Sequence, residues 1–207
     1  MHLSAFAILL LTALSMTGEA MAADSAYTVL DVDNGSCKPV GEAPTQEDID
    51  LGVMSVVCPG YKAYPVEYHT DDERTTVHYG DPATTTTASA WESFSPFNSA
   101  AEKIEWRIDA KDGPFAAIHR FYVGSGGEDG KEPRGEVLVI SKVGQPGGRA
   151  GCVVGLVDAL ANKDANAMAR EIADRLAPGF ACGKDKADYH GRRGDKAAEF
   201  QTYFFDQ

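Results

Sequence analysis

Residues 152–182 read CVVGLVDALANKDANAMAREIADRLAPGFAC, and the apolar period changes inside them. Cys152 to Leu160 is nearly continuous in apolar residues, as in a buried strand. From Ala165 onward, Ala165, Met168, Ala169, Ile172 and Leu176 fall on one helical stripe. Asp164 stands where an N-cap is wanted, and Glu171–Arg175 and Arg170–Asp174 have i,i+4 spacing. Pro178-Gly179 stops the helix, and Cys182 follows, able to tie back to Cys152. The stretch therefore predicts a helix packed as a lid on a sheet.

The rest of the chain repeats the strand grammar. "KIEWRID" places Ile104, Trp106 and Ile108 inward and Glu105, Arg107 and Asp109 outward. "PFAAIHRFYV" and "GEVLVISKV" are more continuously apolar and read as central strands, joined by a Gly-rich hairpin loop, "GSGGEDGKEPRG". Nearer the N-terminus, "AYTVLDV" and "GVMSVVC" read as strands around a polar, Pro-containing loop. "YPVEYHT" and "RTTVHYG" form a hairpin turning at Asp71-Asp72-Glu73, with Val66, Tyr68, Val77 and Tyr79 on one face. The expected fold is α+β: a mainly antiparallel β-sheet, sandwich or distorted barrel, with one C-terminal helix packed on it. One disulfide-stabilised β-rich domain is expected over 23–185, with a possible sub-boundary in 81–102 and a polar, partly flexible tail over 186–207.

Residues 1–22 are set apart as a secretory signal. Leu3 to Met16 is an apolar run suited to an h-region, and Ala20-Met21-Ala22 supplies a cleavage pattern, although no Lys or Arg precedes the run. Removing these 22 of 207 residues, with Glu19 among them, leaves 185 residues and moves the net charge from −12 to −11. That balance argues against nucleic acid, since phosphate binding needs concentrated Lys and Arg. No later segment is apolar for long enough to span a membrane. Export, periplasmic or extracellular, makes Cys37, Cys58, Cys152 and Cys182 an even set for two disulfides with three possible pairings. Cys37–Cys58 and Cys152–Cys182 are expected, because each pair brackets one supersecondary unit. Zinc would need closer ligand spacing, and no cofactor is expected.

Several stretches invite a site. Asp31-Val32-Asp33-Asn34-Gly35 starts like a calcium loop but puts Gly35 at the fifth position, where an acid is required, so a turn is the better reading. The loop from Gly124 to Gly130 misses both the P-loop and the dinucleotide spacing. There is no nucleophile elbow and no Cys expected to be free. On the outward hairpin face Glu67, His69 and His78 come together, with Glu67 opposite His78 in one register; His119 or His190 would have to supply a third His ligand. Exposed loop aromatics Tyr61, Tyr64, Trp91, Phe94 and Phe97 are candidates either for a binding surface or for closing the core.

Three segments, "CPGYKAYPV", "PFNSAAEKIEWRID…PFAAIHRFYV" and 152–182, resemble a group of uncharacterised exported proteins of alphaproteobacteria. The likeness spans most of 27–185. It implies a periplasmic setting, is consistent with the pairing above, and implies no activity. The functional expectation is a non-catalytic periplasmic binding or interaction module, whose partner is a periplasmic or secreted protein, a basic one on charge grounds. The alternatives are a hydrolase using carboxylates or a His-bound metal, and an envelope-assembly component.

Overall fold

The computed structural model describes residues 23–81, 90–111, 113–124, 134–148 and 151–204. The expected signal and most of the Gly-rich loop lie outside them. Twelve strands and two helices follow in the order β1 (Asp24–Val29), β2 (Lys38–Pro39), α1 (Gln46–Asp50), β3 (Met54–Tyr61), β4 (Tyr64–Asp71), β5 (Arg74–Tyr79), β6 (Ala90–Phe94), β7 (Asn98–Asp109), β8 (Gly113–Val123), β9 (Gly135–Lys142), β10 (Val153–Asp158), α2 (Ala165–Leu176), β11 (Asp188–His190) and β12 (Phe200–Phe204). They form a six-stranded sheet, β1-β7-β8-β9-β10-β11, a four-stranded sheet, β2-β3-β4-β5, and a two-stranded ribbon, β12-β6. Among the described residues every pairing between named strands is antiparallel except β10 with β11.

Alternation along β9 fixes the layering. Val137 and Val139 join the core shared with Val66, Val77 and Tyr79 of the small sheet. Leu138 and Ile140 join a second core with Ala165, Ala169, Ile172 and Ala173 of α2. The large sheet is thus covered on both faces, which is why β8 and β9 read as near-continuous apolar runs. Glu105 and Arg107, expected to point outward, are buried under α2. There Arg107 donates to both Asp174 carboxylate oxygens at 2.8 and 2.7 Å, and Arg170 Nε donates to Glu105 at 2.6 Å. Arg170 and Asp174 therefore bridge helix to sheet; the expected pairing with each other along the helix is replaced. Asp164 occupies the N-cap position without a side-chain capping bond.

Both disulfides close as Cys37–Cys58 and Cys152–Cys182. Gly80 and Gly144 cross where the two sheets meet, and a Cβ on Gly80, at φ +109°, would lie 2.1 Å from the Gly144 carbonyl oxygen. Only glycine fits that approach.

Two further expectations need correction. The polar loop between β1 and β3 holds β2 and α1, the latter started by a capping box in which Thr45 and Asp48 each accept from the other's backbone N–H. Phe94 is not a loop residue but lies in β6, 1 % exposed, and packs on Phe121 and Phe200. Over 186–204, β11 extends the large sheet and β12, built from the C-terminal aromatic stretch, pairs with β6.

Candidate functional site

The β4–β5 hairpin makes the site. Its two-residue turn, Asp72-Glu73, has both residues at positive φ, the twist that a tight hairpin requires. The resulting register sets Glu67 opposite His78 and His69 opposite Thr76, while β3 places Ser55 opposite His69. These side chains point away from the inter-sheet core, yet Glu67, His69 and His78 are 5, 8 and 7 % exposed. They were expected on a solvated face. Beside them lies a cleft of about 350 Å³ lined by Ser55, His69, Asp71, Thr76, His78, Ala90 and Trp91, among others.

Within the cluster, His69 Nδ1 is 2.7 Å from Ser55 Oγ, and Nε2 is 3.2 Å from Glu67 Oε1, off the axis of a well-formed hydrogen bond. Burial pushes His78 down to about 4, against the attraction of Glu67 and a hydrogen bond with the Ala90 backbone. At neutral pH its ring is uncharged. In this cluster Glu67 Oε2, His69 Nε2 and His78 Nε2 are all buried without a hydrogen-bond partner. Each such group costs about 1–3 kcal/mol unless something satisfies it.

The other candidates separate. His119 sits in the inter-sheet core, where Tyr79 Oη lies 2.7 Å from Nδ1 and the Ala101 carbonyl meets Nε2. A carbonyl only accepts, so Nε2 carries the hydrogen and Tyr79 donates to Nδ1. Burial pushes His119 down to about 4. His190 lies on β11, at the far edge of the other sheet. Neither joins Glu67, His69 and His78, and among the described residues no group of three or more His, Cys, Asp or Glu side chains is placed to hold a metal ion. Tyr61 ends β3 and Tyr64 begins β4, both half-buried against the core, while Phe97 is partly exposed under the Arg74 guanidinium. Of the aromatics named from sequence, Trp91 alone lines the cleft beside the histidines.

Two residues escaped the sequence reading. Ser55 becomes visible only once the β3–β4 register is known. Glu92, on β6, is 7 % exposed and accepts from Val153 N–H at 3.1 and 3.0 Å, next to a β10 irregularity. Burial pushes it up to about 7, opposed by hydrogen bonds from Val153 and Thr202.

No family model, curated protein or solved structure matches the chain.

No helix among the described residues is long and apolar enough to cross a membrane.

Proposed function

We propose that the protein is an exported binding module that takes a cationic group, the lysine or arginine side chain of a basic partner, in the cleft beside His69 and His78. The observation that carries this reading is the bare His78 Nε2, a buried, unpartnered acceptor on a residue that lines the cleft together with Asp71 and Trp91, with a second unpartnered acceptor, Glu67 Oε2, on the residue opposite it. Both atoms want a hydrogen, Asp71 adds negative charge, and Trp91 offers a cation a π face. The formal charge of −11 left once residues 1–22 are removed favours the encounter. Two disulfides fit an oxidising compartment, and the likeness to exported alphaproteobacterial proteins supports the periplasm.

Titration calorimetry with capped pentalysine and capped pentaglutamate tests the reading. Saturable binding of pentalysine is expected, weakened by salt and lost in Trp91→Ala and Glu67→Gln. Equal affinity for pentaglutamate, or binding untouched by both substitutions, overturns it.

A further inference from the structure

Ser55 stands at the cleft with its hydroxyl on His69 Nδ1 at 2.7 Å, while the opposite ring nitrogen faces Glu67 at 3.2 Å. With the ring hydrogen on Nε2, the side nearer the Glu67 carboxylate, Nδ1 is a lone pair able to accept from Ser55. We propose that Ser55 is a nucleophile, with His69 as its general base, Glu67 as the group that holds the ring in the required tautomer, and carboxylic esters as the substrate class.

The ring nitrogens are used in the opposite sense to the serine-protease order, but roles and geometry define such a relay, not atom names. All three residues sit on neighbouring strands of one sheet, which fixes their separation. Glu67 and His69 are buried, whereas Ser55 is half-buried and lines the cleft, so the base is shielded and the nucleophile is reachable. The off-axis contact between His69 and Glu67 suits an unliganded site, where such bonds are commonly long and tighten on substrate binding. The inference goes beyond cation binding and stands on these three residues alone.

The chemistry balances without a further reagent. Ser55 Oγ attacks the ester carbonyl carbon as His69 Nδ1 takes the hydroxyl proton. The bond to the alcohol oxygen breaks, His69 returns the proton to the departing alkoxide, and an acyl-Ser55 ester remains. Water, deprotonated by the same nitrogen, then attacks the acyl carbon, and Ser55 recovers its proton as the carboxylic acid leaves.

The test treats the full oxidised chain with a fluorophosphonate, which loses fluoride as phosphorus bonds to the serine oxygen, and maps the adduct by peptide mass spectrometry. One adduct on Ser55 is expected. It should be absent in Ser55→Ala, which keeps a cooperative melting transition at a lower temperature because His69 Nδ1 loses its partner, and form about 100-fold more slowly in His69→Gln. Hydrolysis of p-nitrophenyl acetate should fall in the same order. An unmodified Ser55, in a reaction where an added serine esterase is fully labelled, overturns the proposal; so does p-nitrophenyl acetate turnover equal in wild type and Ser55→Ala. Pentalysine binding is measured separately, so either reading can fail alone.

Discussion

Glu92 and the two buried histidines bend the stability curve in opposite directions. The Glu92 carboxyl is raised by burial to about 7, so its protonated form is the one the fold favours. Its contribution is fully present below the unfolded carboxyl range and is lost as pH rises through about 7. His78 and His119 are both held down at about 4, so the unfolded chain binds their protons first. Their contribution is present above the unfolded histidine range and is lost as pH falls from there through about 4. Over the window they share, two histidines outweigh one carboxyl, so melting temperature should rise from about pH 4 and level off near pH 7. Glu92→Gln removes the opposing carboxyl and should steepen that rise up to about pH 7; an unchanged slope would sink this assignment. Tyr79→Phe orphans His119 Nδ1 and should cost about 1–3 kcal/mol in denaturant unfolding. The hairpin pattern made the shared face of Glu67, His69 and His78 legible. Their burial was not, because alternation says which way a residue points and not what lies over it. Glu92 was hidden because its neighbours are polar and its partner, Val153, lies 61 residues away.

At the scale of elements, α2 is bound to the large sheet through two ion pairs as well as an apolar stripe. Asp174 is partly exposed, whereas Arg107 is buried, so the two partners are not equivalent. Asp174→Ala takes the bidentate carboxylate from a buried guanidinium, leaving it Ser25, the Ala23 carbonyl and the field of Glu105, and should cost about 2 kcal/mol, more than Arg107→Met, which removes the buried charge itself. Equal losses in urea unfolding would show the asymmetry to be irrelevant. The helix was readable to within its caps because its stripe is regular. Element α1 was missed even though Thr45-x-x-Asp48 signals a helix start, because five residues carry too little periodicity to register. The ribbon β6–β12 was missed for a different reason. Each strand is short, and it becomes a strand by pairing with one 106 residues or more away. A chain ending at Lys184 lacks β11 and β12 and uncovers Phe94, so it should lose its single cooperative thermal transition; intact cooperativity would return those residues to the status of a tail.

The described residues form two main sheets, the β6–β12 ribbon and helices α1 and α2, held by non-covalent layers, with each disulfide confined to one part of the fold. In the chain-entropy picture each closed loop contributes about 3 kcal/mol, so reduction should lower the urea midpoint while the chain stays folded in native buffer. Unfolding on reduction alone would mean that the three layers hold together more weakly than their burial implies. The fold class was legible because the helix stripe and the alternating strands are local patterns. Strand order was not, since pairings such as β1 with β7 depend on which apolar faces find one another across the chain. The layering has one more consequence. Strands β8 and β9 lie between other strands at both edges and beneath cover on both faces. Their amide hydrogens have no local route to solvent, whereas those of β1 and β11 need only an edge to fray. In deuterated water the molecule should therefore keep two clocks: a fast one at its margins, and a slow one in β8 and β9 that advances only when the entire chain opens.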